Sequence, residues 1–180
     1  GSGGAIALCA EAALRAGAGL VSVATRPAHV PALLARRPET MVRAVESTDD
    51  LVPMVARARV VAVGPGLGQG EWGQALFRHA LRSGLPLVVD ADALNLLSSA
   101  AQPLEDAVFT PHPGEAARLL ACTAADVQRG RVGAAKAIPQ PYQPVVVLTG
   151  AGPVVATGKA TRHVGAGNPG LAVGRLCPLL

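Results

Sequence analysis

The chain has 180 residues, 50% of them hydrophobic and only 2% aromatic, with 21 Gly and 15 Pro. That is apolar material for one domain or most of a larger one, built from small and aliphatic side chains, and it excludes disorder as a description of the whole chain. The net charge of +4 is unevenly held: residues 127–180 carry Arg129, Arg131, Lys136, Lys159, Arg162 and Arg175 with no carboxylate, while residues 1–126 hold ten basic and twelve acidic side chains.

Six dispersed cations with a single aromatic residue among them make a poor nucleic-acid surface. A solvated face, or a site for a phosphorylated small molecule, is the better use of them. Cys9, Cys122 and Cys177 lie far apart with no CxxC pair, which excludes a disulfide framework and a structural zinc site and suits a reducing cytoplasm. No run approaches the roughly 18 apolar residues of a membrane span.

In chain order, Ala5–Ala16 reads as a helix that is apolar nearly all round, with Glu11 and Arg15 as an i,i+4 pair. Such a helix expects burial between layers. Opening a domain with it, without an initiator Met, points to a missing upstream strand. Leu20–Thr25, Arg59–Gly64, Leu85–Asp90, Ala107–Thr110 and Pro144–Thr149 read as strands, most of them apolar throughout, as a covered parallel sheet requires. Helices are predicted from about Asp49 to Ala58 with Thr48 or Asp49 as N-cap, from Glu71 to Ser83 with Trp72, Leu76 and Ala80 on one face, and from Pro113 onward. Strand–helix alternation of this kind predicts an α/β fold with a mostly parallel sheet.

Ligands of open parallel sheets bind beyond the carboxyl ends of the strands, and four such ends are unusual. After Val63 comes Gly64-Pro65-Gly66-Leu67-Gly68-Gln69-Gly70. No register of this loop fits GxGxxG, and no GK[ST] follows, so it is neither a dinucleotide fingerprint nor a P-loop. It is either a tight turn or an anion-binding loop at a helix start. After Val89 comes Asp90-Ala91-Asp92-Ala93-Leu94-Asn95. Asp90, Asp92 and Asn95 are candidates to position Mg²⁺ or a ligand hydroxyl, unless Asp92 merely caps the next helix. After Phe109 comes Thr110-Pro111-His112-Pro113-Gly114-Glu115, in which two prolines stiffen the backbone around His112. That residue is either a ligand contact or a capping residue. The last strand ends in Thr149-Gly150-Ala151-Gly152-Pro153, another glycine turn.

GAGLVSVAT (17–25), VGPGLGQGEW (63–72), VVDADALNLL (88–97), TPHPGEAARLL (110–120), VVVLTGAGPVVATG (145–158) and GNPGLAVG (167–174) together resemble the ADP/ATP-dependent NAD(P)H-hydrate dehydratase family. The likeness runs along nearly the whole chain, and DADALN followed by TPHPGE is its most specific part. It implies a ribokinase-like, layered α/β/α fold, here incomplete at both ends, over residues 1–174, with an aberrant tail at 175–180. It further implies nucleotide-coupled dehydration of NADHX and NADPHX, with ADP or ATP and Mg²⁺, by a homo-oligomeric cytoplasmic enzyme that can carry an epimerase domain upstream. Carried over by motif, Ala5, Gly66, Gly68 and His112 would contact the hydrate, and Thr149, Gly150, Ala151, Gly152 and Pro153 the AMP portion of the nucleotide.

Two departures from the family pattern matter. Thr149 stands where the family segment reads close to KGAGT. Gly174 is followed by Arg175-Leu176-Cys177 rather than by a GMGD segment with its catalytic Asp, and no acidic residue follows Asp126. The expected consequence is a chain of little activity. The competing readings are a ribokinase-like kinase of a small alcohol and a non-catalytic nucleotide-binding module.

Overall fold

The structure, a computed structural model, describes residues 2–99, 104, 106–138, 144–150 and 152–163. The 167–174 and 175–180 segments and Ala151 lie outside the described residues.

Helix α1 (Gly3–Arg15) leads into β1 (Ser22–Thr25), a short 3-10 turn at Pro27–His29, α2 (Val30–Arg36) and β2 (Met41–Ala44). Strands β1 and β2 form a two-stranded parallel sheet. Its small core joins Ala10, Val23 and Leu33, with Ile6 and Ala7 packed against them. The expectation that α1 is buried all round is corrected: only Ala10 and Glu11 are buried along it. One stripe of α1 meets β1 and α2, and the rest of its circumference stays partly open.

Glu11 anchors this unit. Its carboxylate takes Arg15 at 2.7 Å, Arg36 at 2.9 Å, and Arg37. Hydrogen bonds from Arg37 and Arg36 hold its pKa down to about 2. The i,i+4 pair read from the sequence is therefore one arm of a three-arginine cluster that pins α1 to the end of α2.

The chain continues through α3 (Thr48–Val55), β3 (Val61–Val63), α4 (Glu71–Leu81), β4 (Leu87–Val89), α5 (Ala91–Ser99), β5 (Ala107–Phe109), α6 (Pro113–Leu119), α7 (Ala124–Arg129), α8 (Arg131–Ala137), β6 (Val145–Leu148), β7 (Val154–Ala156) and β8 (Thr161–His163). The cap of α3 is Ser47, not Thr48 or Asp49, because the Asp50 carboxylate reaches back to accept the Ser47 and Glu46 amides at 3.0 and 3.1 Å.

Strands β3 to β8 form one sheet in sequential order, parallel from β3 to β6 and antiparallel across β6, β7 and β8. Right-handed crossovers between successive neighbours place the connecting helices on one face. The burial pattern agrees, since β4 and β5 alternate fully buried and half-buried positions. The core on that face joins Val89, Phe109, Val146 and Leu148 of the strands to Leu94, Leu97, Val127, Ala135 and Ile138 of the helices. Trp72 links the two sheets, donating from Nε1 to the Val45 carbonyl at 3.0 Å while the Arg26 guanidinium lies 4.2 Å over its ring.

Replacing Glu11 by Gln leaves the arginines without their counter-charge. The variant is expected to melt a few degrees lower in a circular-dichroism scan.

Candidate active site

Because β3, β4, β5 and β6 are parallel, the four unusual strand ends fall on one edge of the sheet, and hydrogen bonds run from each to the next. Ser2, just before α1, donates its amide to Gly66 at 3.2 Å, and its carbonyl accepts from Ala5 at 3.2 Å. Ala5 is thereby brought beside the glycine loop after β3. That loop is tied to the next strand end by the Gly68 amide, which donates to Asp92 Oδ2 at 2.8 Å. Gly64, at φ +125°, lies so close to β4 that a Cβ on it would sit 1.7 Å from the Asp90 carbonyl oxygen. No other residue fits there.

The two aspartates read from the sequence as a pair are parted. Ala91 is left-handed at φ +46° and opens α5, a conformation that costs about 1 kcal/mol for a residue with a Cβ. Asp92 is spent on the Gly68 amide rather than on capping its own helix. Asn95 accepts from Arg118 Nη1 of α6 at 3.0 Å. Asp90 alone remains buried at the edge, 5% exposed. Burial first, and repulsion from Glu115 second, push its pKa up to about 6. The Thr110 hydroxyl, the Ala91 amide and the positive charge His112 carries when protonated oppose that rise without cancelling it.

His112 is the N-cap of α6. Its Nδ1 accepts from the Gly114 amide at 2.9 Å and the Glu115 amide at 3.4 Å, while Nε2 lies 3.1 Å from Glu115 Oε1. Glu115 completes a capping box by accepting the His112 amide at 2.9 Å. Glu115 also draws the His112 pKa upward against the opposing cost of burial. A second proton would have to enter at Nδ1 and break the cap, so the geometry favours the neutral Nε2–H tautomer. The imidazole is 44% exposed.

The fourth end joins through Thr149, whose amide and hydroxyl donate to the Pro111 carbonyl at 2.9 and 3.2 Å. Behind it lies Arg131, a residue the sequence did not single out. Nη2 donates to the carbonyls of Leu148 and Thr149 at 3.1 and 3.0 Å, Nε to that of Gly152 at 3.3 Å, and Nη1 to Gln128 Oε1 at 2.9 Å. One signal was available: a cation at the first residue of a helix opposes the helix dipole, so something else must hold it. Glu115 was legible only as a first-turn acid, although His-x-x-Glu at the start of a helix is the spacing of a capping box.

Asp90 binds its proton more tightly in the folded chain than in the unfolded one. Its contribution to stability is complete below an ordinary carboxylate pKa of 3.8 and is lost as pH rises through about 6. Asp90→Asn is expected to flatten the fall in unfolding free energy between pH about 4 and about 7, by on the order of 3 kcal/mol in urea titrations. Gly64→Ala forces β3 and β4 apart at their ends. It is expected to cost more than about 2 kcal/mol by the same measurement.

Among known sequences, the Carb_kinase family, NAD(P)H-hydrate dehydratase, matches residues 1–175. The bifunctional NAD(P)H-hydrate repair enzyme of Coxiella burnetii is 47% identical over 181 residues, covering 100% of this chain and 37% of that protein. The chain thus spans little more than a third of that relative. A ribokinase-like superfamily protein of Enterococcus faecalis superimposes with a TM-score of 0.86 at 30% identity, over 96% of this chain and 62% of its own. The ADP/ATP-dependent NAD(P)H-hydrate dehydratase from Bacillus subtilis, co-crystallised with ATP/Mg²⁺, does so with a TM-score of 0.79 at 29% identity, over 96% and 63%. With the match running from residue 1 to residue 175 and all four strand-end turns inside it, the chain belongs to the NAD(P)H-hydrate dehydratase family.

Proposed function

We propose that the chain is the nucleotide-dependent dehydratase part of a cytoplasmic repair enzyme that restores NADH and NADPH from NADHX and NADPHX. The observation that carries this reading is the continuous edge of four hydrogen-bonded strand ends. In this reading Ala5, Gly66, Gly68 and His112 take the dihydronicotinamide hydrate and the turn that opens at Thr149 and Gly150 takes the adenine nucleotide, with the Thr149–Pro111 bonds joining the two. The bifunctional relative supports an epimerase domain elsewhere in the longer protein, and homo-oligomerisation belongs to the same proposal.

The chemistry fits these residues. Hydroxide leaves a carbon poorly, and phosphoryl transfer from the nucleotide to the hydrate's hydroxyl turns it into phosphate, which leaves well. Such a transfer is catalysed mostly by positioning and by neutralising charge. Backbone amides of glycine turns at helix starts serve both ends.

No group of three or more His, Cys, Asp or Glu side chains among the described residues could hold a metal by itself. Mg²⁺ needs no such cage, because it binds through one or two carboxylates together with phosphates and water. Asp90 is the carboxyl that fits that requirement: it is buried at the strand end, and its pKa is raised first by desolvation and then by the Glu115 charge, both of which a cation would offset. When bound there, the ion would neutralise the phosphates. Without it, Asp90 holds a proton up to about pH 6, and His112 orients whatever lies against its exposed ring edge.

Arg175-Leu176-Cys177 stand where the family pattern reads GMGD, and on that departure we rest an expectation of low activity. Purified chain given NADHX, ADP and Mg²⁺ is expected to regain dihydronicotinamide absorbance about 10²–10⁴ times more slowly than a full-length relative. Turnover matching the relative's would refute the low activity. A stable phosphorylated alcohol in place of NADH and inorganic phosphate would refute the dehydratase reading and favour a small-alcohol kinase.

A further inference from the structure

We infer that Arg131 is the positioning residue of the adenine-nucleotide site, shaping the turn after β6 so that its backbone meets the nucleotide's phosphate. The inference rests on the proposed assignment of that turn to the nucleotide.

The argument begins with the peptide plane. In a trans peptide the carbonyl and the following amide point in opposite directions. Arg131 draws the Leu148 and Thr149 carbonyls to one side through Nη2, so the amides of Thr149 and Gly150 are turned to the other. For Thr149 the result is visible, because its amide reaches the Pro111 carbonyl at 2.9 Å. For Gly150 the same geometry presents the amide on the cleft side of the turn. The third carbonyl, that of Gly152, precedes Pro153, which has no amide to orient.

Gly150 permits this arrangement in two ways. Its φ of +117° lies outside the range of ordinary side chains, and a Cβ on it would stand 3.3 Å from Arg131 Nη1. The guanidinium is itself fixed at both ends. Gln128 holds Nη1, and α8 is locked against the sheet by Ala135 and Ile138, which are 0% and 1% exposed. A planar fork bound to three carbonyls is something Arg can do and Lys cannot. It also brings a positive charge behind the turn where Thr149 stands in place of the family's usual cation.

Calorimetric titration of the whole chain with ADP, and separately with NADHX, tests this. Arg131→Met is expected to weaken ADP binding about tenfold, the loss typical of hydrogen bonds to a charged group, with hydrate binding unchanged. Arg131→Lys keeps the charge without the fork and is expected to weaken ADP binding nearly as much. Wild-type ADP affinity in either variant, or equal weakening for ADP and hydrate, overturns the positioning role. If Arg131→Met fails to fold by circular dichroism, Gln128→Ala decides, since Gln128 is exposed and only steadies Nη1. About threefold weaker ADP binding supports the role, and unchanged binding overturns it. A wild-type chain that binds the hydrate but no ADP overturns instead the assignment of the turn on which the inference rests.

Discussion

Parallel register from β3 to β6 is the constraint on which the site depends. Four chain reversals must share one edge, and the strands are only three or four residues long, so each reversal begins within a few ångströms of its neighbour. The closest approach, Gly64 against the Asp90 carbonyl, tolerates no side chain. From that contact outward, each strand end is held by the next. Asp92 holds Gly68, Val89 holds Thr110, and Pro111 holds Thr149. A site assembled from the ends of successive strands inherits its rigidity from the sheet rather than from any single loop.

Two of the buried carboxylates among the described residues are treated in opposite ways. Glu11 is met by three guanidinium groups and titrates near 2, an arrangement that binds two helices together and leaves nothing for a ligand. Asp90 is buried at the cleft edge beside another carboxylate and titrates near 6. Retaining a desolvated acid without a counter-charge costs stability. Such groups cluster where a cation or a reacting group will later arrive. The contrast separates a structural ion cluster from the carboxyl proposed to meet a cation within one chain.

Much of the fold was legible because its signals are local. Apolar runs such as Val145–Leu148, and punctuation such as Gly70 before α4 or Pro113 at the start of α6, gave five parallel strands, helices α1, α3 and α4 and the start of α6 to within a few residues, whereas α2, α7 and α8 were missed. Strands β2, whose residues 41–44 are largely exposed, and β8 carried no comparable apolar run and were missed, as was β7, whose apolar Val154–Ala156 follows directly on a glycine turn. At the site, the glycine turns and His112 stood out by composition. The divergence of Asp90 from Asp92 did not, because it depends on Ala91 adopting a left-handed backbone that nothing in its side chain requests.

The sequence by itself determined the class of fold, the order of the strand-end motifs and the family, since these follow from periodicity, turn chemistry and residue type along the chain. Only the tertiary structure decided which carboxylate is buried, that His112 serves first as a helix cap, and that an arginine 17 to 21 residues before the last glycine turn grips its carbonyls. Those outcomes depend on distances between residues remote in sequence. Desolvation, carbonyl direction and charge pairing exist only once β3 to β6 have been laid side by side.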